Sequence, residues 1–449
     1  MKALDRIIRS PHVDTLYRAI TFGDLFIAAS PALLRLRAKR YARKREAFRA
    51  TLPAKDKIRV AFFLQSPSVW KCERLYRLLE ASERYEPVVV VCPFNVHLHY
   101  DKAEMAHVME ESERFVRSRG YRYFSTYDAA TATWRDVRRE LNPDVIFYTK
   151  PYKDTLPAYH LYRFPEKLNC YIPYGLVVID TYRRNYNLPF HNLLWKNLVE
   201  TDYQRQFARR FATCGDGNVE VVGCLGTECM LLPDYVPADP WKPQTDAQGN
   251  PIRKKRIIWA PHHTVDYLFN FSNFLTYYDF MLELAERYAD SVQFAFKPHP
   301  VLKFKLINLW GRERTDAYYQ RWASLPNGQL EEGSYNDLFL TSDAMMHDCA
   351  SFTAEYLYTG HPVMYLVKEG NEAKHWNALG DLCYAQHYKG RNTADIEQFV
   401  QSVIRGDDPL KASRDTFRAD VLCPPDGLMP SEHILRILDE ATTQTTAKS

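Results

Sequence analysis

The sequence predicts an α/β protein made of two doubly wound, Rossmann-like domains. Three observations carry the prediction. Short apolar runs alternate with amphipathic helical segments along residues 57–225 and again along 256–410. A proline cluster interrupts the alternation between them. The length of 449 residues exceeds what one hydrophobic core usually supports.

In chain order, residues 1–56 read as a basic, helical N-terminal arm. Arg35, Arg37, Lys39, Arg40, Arg43, Lys44, Arg45 and Arg49 stand against the single Glu46, and Leu16, Ile20, Phe22, Leu25, Phe26, Ile27, Leu33 and Leu34 precede or join them at near-helical spacing. Such a segment suits an anionic lipid surface, here through residues 16–49, or else a solvated helix packed on the protein's own surface. Nucleic acid is not an expected partner, because the net charge is only +4 and the rest of the chain has no basic surplus.

The first domain, 57–225, reads as strands at 58–64, 87–92, 121–124, 145–148, 169–172 and 219–222. Its helices are expected at 69–82, 102–119, 134–141 and 202–211. Pro233, Pro237, Pro240, Pro243 and Pro251, with Gly249, make 226–255 a linker. The second domain, 256–410, has strands at 256–259, 292–297, 344–347 and 363–366 and helices at 275–288, 316–323 and 352–359. Residues 411–449 complete the chain as a helical tail.

Hydrophobic content of 46% and charged content of 25% belong to an ordinary globular protein. The 14% aromatic share is high, and both cores and base or sugar stacking use such residues. Nine scattered cysteines without a C-x-x-C pair fit a reducing compartment. No apolar run is long enough for a membrane span, and no signal-peptide pattern opens the chain, so a cytoplasmic protein, peripheral on the inner face of the plasma membrane, is expected.

Three blocks in the second domain carry the polar chemistry. In each, an apolar strand stops abruptly: at Pro261-His262-His263, at Lys297-Pro298-His299-Pro300, and at Asp348-Cys349-Ala350-Ser351. The C-terminal edge of a parallel sheet is where open α/β proteins hold nucleotides. His299, held between two prolines of fixed φ, suits a donor to pyrophosphate oxygens. Ser351 is a natural N-cap, so the amides after it, with Phe352 and Thr353 in the first turn, make an anion site, and Glu355 can accept from ribose hydroxyls. A capping-only Ser351 and a surface-paired Glu355 are the plainer readings. His262 and His263 with Asp266 suggest a metal, but third and fourth ligands at convincing spacing are missing, so no metal and no cofactor are expected.

Two Rossmann-like domains facing a cleft make the GT-B architecture, and the motifs narrow it further. The order A-P, then K-P-H-P, then S-D-x-x-x-x-D-x-x-S-x-x-x-E-Y, with a Pro-containing strand after it, resembles the CDP-glycerol glycerophosphotransferase family, the teichoic-acid and capsule polymerases, over roughly residues 140–410. The resemblance implies that His299 and the segment from Asp348 to Ser351 contact the diphosphate of CDP-glycerol. It also places Tyr174, in Ile172-Pro173-Tyr174-Gly175, where the family carries a histidine general base. A tyrosine of ordinary pKa near 10 is a poor base at neutral pH but can orient an acceptor hydroxyl.

The expected activity is transfer of glycerol phosphate from CDP-glycerol to a cell-surface glycan or lipid-linked acceptor. His299, Tyr174 and Asp348 are the expected catalytic residues. Pro261, His262, His263, Lys297, His299, Ser351, Phe352, Thr353 and Glu355 are the expected donor-binding set. A nucleotide-sugar glycosyltransferase of capsule or O-antigen assembly, a nucleotide-sugar epimerase and a scaffold that has lost catalysis are the alternatives.

Overall fold

A computed structural model describes residues 30–94, 102–265, 271–369, 375–424 and 426–443. The arm's apolar anchors from Leu16 to Ile27, and Asp266, lie outside the described residues. The chain forms two compact units: Met1–Gly175 with Thr181–Glu228 and Pro424–Ser449, and Leu176–Asp180 with Cys229–Cys423.

The first unit is built on a parallel sheet of β1 (Ile58–Leu64), β2 (Tyr85–Val91), β3 (Tyr123–Ser125), β4 (Val145–Tyr148), β5 (Leu168–Tyr171), β6 (Lys196–Val199) and β7 (Val219–Val221). Their order is β3-β2-β1-β4-β5-β6-β7, the doubly wound pattern that reverses direction beside the first strand. β1 and β4 are buried along nearly their whole length, as central parallel strands covered on both faces must be. Helix α1 (Pro31–Arg49) starts where Ser30 Oγ accepts from the Leu33 N–H and Pro31 fills the first turn.

That helix is docked, not free. Leu34 and Tyr41 are buried in the unit's core, and the buried Arg45 guanidinium donates to the Leu193 carbonyl at 2.5 Å. Lys39, Arg40, Arg43 and Lys44 remain exposed beside Leu33 and Leu36.

The expectation of one helical tail over 411–449 does not hold. A helix at Lys411–Phe417 belongs to the second unit, whereas the last helix, Pro430–Thr442, completes the first. Ile434 and Leu438 enter the core of the first sheet, Arg74 pairs with Glu432 at 2.5 Å, and the Tyr85 hydroxyl donates to Asp439 at 2.6 Å. The proline-rich segment 226–255 is likewise not a free linker. From Cys229 it is part of the second unit, where Trp241 is buried and its indole N–H donates to Thr341 Oγ1 at 3.0 Å.

The second unit carries β8 (Lys255–Ala260), β9 (Val292–Phe296), β10 (Gly328–Leu330), β11 (Ala344–His347), β12 (Val363–Leu366) and β13 (Tyr388–Gly390), again all parallel. Their order is β10-β9-β8-β11-β12-β13. The topological switch therefore lies between β8 and β11. Behind it sits an aromatic core: Trp259 lies 5.0 Å from Phe296, and Phe296 stacks on Trp322 at 5.3 Å, all three fully buried. Much of the aromatic surplus is spent on such packing.

Four buried histidines have a consequence for stability. Burial pushes His160, His191 and His347 down to about 3, and His387 is lowered for the same reason. Unfolding returns each to its ordinary 6.5, so the unfolded chain binds protons that the folded chain does not throughout the interval between. The contribution of these four rings is complete above about pH 7 and falls as the pH drops through 6.5 towards 3, with Asp348 opposing it in the same interval. Melting temperatures recorded at successively lower pH are expected to decline steeply below 6.5; a flat profile down to pH 5 would contradict neutral burial of these rings.

Candidate functional site

The three blocks fall at neighbouring strand ends because the sheet order makes them neighbours. β9, β8 and β11 are adjacent, and Lys297-Pro298-His299, Pro261-His262-His263 and Asp348-Cys349 follow them directly. The His299 N–H donates to the Pro261 carbonyl at 3.0 Å, tying the first two loops together.

The result is a cluster of three imidazoles. Ring centres of His262 and His263 are 4.2 Å apart, those of His263 and His299 4.3 Å, and those of His262 and His299 5.0 Å. All three rings are half-buried. Burial, then the neighbouring His263 and His299, pushes His262 down to about 2. Burial, then His263, Lys297 and Lys305, pushes His299 down to about 3. His262 and His299 are thus neutral at physiological pH, each offering one N–H and one lone pair. Pro300 at the first helical position starts helix α2 (Pro300–Trp310), and His299 is its N-cap, with Nδ1 accepting from the Val301 N–H at 3.2 Å.

Asp348, expected to point towards a ligand from the strand end, is instead buried. Its carboxylate accepts from the His262 N–H at 2.6 Å and the Asn273 N–H at 2.5 Å. Burial pushes its carboxyl up to about 7, against the pull of those two donors and Lys368. This group fixes the histidine loop from behind, which makes it a positioning residue.

The Ser351 region also departs from expectation. Phe352–Glu355 is a single helical turn that continues as a 3₁₀ turn at Tyr356–Thr359, and Ser351 is itself in the helical conformation with no capping bond from its side chain. The Thr353 amide already donates to the Ala350 carbonyl at 3.2 Å, and its hydroxyl donates to Cys349 O at 3.1 Å. Of the groups expected to hold an anion at this helix start, those of Thr353 are taken by local bonds. Phe352 packs edge-on to Tyr335 and Phe339. Glu355 is buried and accepts from the Tyr335 hydroxyl at 2.6 Å. Lys297 is buried too, its ammonium donating to the carbonyls of Gly333 at 2.7 Å and Glu331 at 3.3 Å.

Tyr174 belongs to the first unit, in the loop after β5. It is 38% exposed, yet desolvation around its hydroxyl, then Tyr152, raises the phenol above its ordinary value. Arg184 lies over the Tyr152 ring at 4.8 Å. With its phenol raised, Tyr174 is neutral at physiological pH and available as a hydrogen-bond donor.

Two supporting residues escaped sequence reasoning. Thr264 Oγ1 lies 3.0 Å from His262 Nδ1 and accepts from the Phe271 N–H at 3.2 Å. Asn273 ties its backbone to Asp348 and its side-chain amide to the Leu366 carbonyl at 2.8 Å. A polar residue shortly after a histidine strand end is the available signal for Thr264; Asn273 has none. The sequence-level absence of a third metal-type ligand is overturned as well, since His299 supplies one beside His262 and His263.

No family model and no curated protein matches the chain. Solved structures do. A UDP-N-acetylglucosamine 2-epimerase described as putative, from Listeria monocytogenes, superposes with a TM-score of 0.53 at 15% identity, covering 87% of this chain and 98% of that one. The fold is of the GT-B type. UDP-GlcNAc 2-epimerase from Neisseria meningitidis, bound to UDP-GlcNAc, gives 0.52 at 13% identity over 86% of this chain and 100% of that one. The wall teichoic acid polymerase TagF, a variant soaked with CDPG, gives 0.51 at 13% identity over 96% and 98%. At such identities the likeness establishes architecture and nothing finer. Among the described residues no helix is long and apolar enough to cross a membrane.

Proposed function

We propose that the protein is a transferase using a nucleotide-diphosphate-activated donor, with glycerol phosphate from CDP-glycerol as the transferred group and a cell-surface glycan or lipid-linked acceptor. The observation that carries this reading is the convergence of His262, His263 and His299 at adjacent strand ends beside the topological switch. In the proposed reaction an acceptor hydroxyl attacks the β-phosphorus, the bond to the bridging oxygen breaks, and CMP departs with the electron pair while the hydroxyl proton passes to solvent. Preformed imidazole N–H groups stabilise charge as it develops on the diphosphate. Asp348 and Thr264 hold those rings in place.

The deciding experiment incubates the protein with CDP-glycerol and with nucleotide sugars and identifies what is released. CMP from CDP-glycerol supports the reading. UDP or CDP from a sugar donor replaces it with a glycosyltransferase, and epimerised UDP-GlcNAc without nucleotide release replaces it with an epimerase.

Tyr174 takes the acceptor-orienting role in this scheme. Tyr174→Phe is expected to lower transfer about 2- to 10-fold, the worth of one neutral hydrogen bond, whereas Tyr174→His is tolerated. Unchanged initial rates in both variants would remove it from the reaction.

Anionic lipid is the proposed surface partner, met through the exposed Lys39, Arg40, Arg43 and Lys44. Each basic group near the membrane contributes about 1 kcal/mol, so exchanging all four for glutamine should abolish pelleting with phosphatidylserine vesicles at low salt. Pelleting that survives the exchange assigns these side chains to a solvated face.

A further inference from the structure

We propose that His262, His263 and His299 form a three-imidazole site for a divalent transition-metal cation of the zinc class. One ligand-capable nitrogen from each ring lies within 4.8 Å of the others, and among the described residues these three make the only such group of His, Cys, Asp or Glu. The rings are half-buried, so an ion can reach them without unfolding the loops. Three neutral nitrogen ligands select zinc, cobalt, nickel or copper, while magnesium and calcium require oxygen. Three protein ligands also leave a fourth position for water or an anion.

The surroundings are those of a supported site. His262 Nδ1 lies 3.0 Å from Thr264 Oγ1; in the tautomer in which Nδ1 donates, the Nε2 lone pair is left for a metal, and the contact fixes the ring's orientation. Asp348 holds the same residue's backbone at 2.6 Å, and the His299 N–H on Pro261 fixes one loop against the other at 3.0 Å. Ligation by His299 gives up one contact, the 3.2 Å bond from Val301 N–H to Nδ1. A metal on Nδ1 displaces it directly, and a metal on Nε2 moves the ring proton to Nδ1. Lys297 and Lys305 are the charged groups acting on the cluster. Their charge opposes a bare cation but favours an anion in the fourth position. The inference does not depend on the identity of the donor; with the ion bound, the cation takes the place of the ligating nitrogens' N–H groups opposite an anion.

The test uses the full chain, stripped with chelator and dialysed against micromolar zinc or cobalt. About one metal per chain by elemental analysis, with the intense visible absorption of tetrahedral cobalt, is the expected result. His263→Ala should weaken zinc binding by at least on the order of 10²-fold, more than the loss of a supporting group causes, while the exposed control His107→Ala binds as before. If His263→Ala fails to fold, His299→Asn, which keeps a good helix cap, must show the same loss. Less than a tenth of an equivalent of zinc in the unmodified protein, or binding that survives loss of these histidines, overturns the site.

Discussion

Replacing His299 by alanine is expected to lower donor turnover by on the order of 10²-fold or more, because it deletes a preorganised N–H from the point where charge develops. The substitution also removes the acceptor for the Val301 N–H at the start of α2, which costs about 1 kcal/mol of stability. His299→Asn separates the two effects. Asparagine caps the helix well, so this variant should melt near the parent while losing activity to the same extent. A rate within about threefold of the parent in the asparagine variant would end the catalytic role of His299.

Asp408→Ala is expected to have the largest effect on stability, about 3–5 kcal/mol. Arg414 is fully buried. Its guanidinium makes a two-pronged pair with Asp408 at 2.8 and 3.2 Å and donates to the Gly360 carbonyl at 3.2 Å. The Tyr388 hydroxyl donates to the same carboxylate at 2.9 Å. Removing Asp408 leaves a cation sealed in a medium that does not solvate it. Replacing Arg414 by methionine in the Asp408→Ala background removes that charge and should recover most of the loss. Chemical denaturation of the two variants checks this: a double variant less stable than the single one contradicts the explanation.

The central strands were legible because fully buried parallel strands leave unbroken apolar runs. Residues 58–64, 145–148, 344–347 and 363–366 fold with the expected boundaries. β6, β10 and β13 carry Lys196, Asn197, Gln329 and Lys389 and run three or four residues, too short and too polar to stand out from loops. Helix α2 was hidden by its own start signal, since Pro300 reads as loop punctuation until it is recognised as a first-turn proline. At the site, each strand end was visible by itself. Their meeting was not, because it follows from the β9-β8-β11 order, which a single sequence does not state. The misreading of Ser351 and Glu355 has the same origin: residue type suggested a cap and a ribose contact, while Ser351 is already in the helical conformation and the Tyr335 hydroxyl takes the Glu355 carboxylate.

The return of Pro430–Thr442 to the first unit reverses the usual timetable of synthesis. As the chain leaves the ribosome, the first sheet emerges with β1 and β2 but without Glu432, Ile434, Leu438 and Asp439, which are made only after the whole second unit. The second unit, encoded in between, has all its strands available earlier. A truncation before Pro430 therefore strips core residues from the unit whose strands are encoded first.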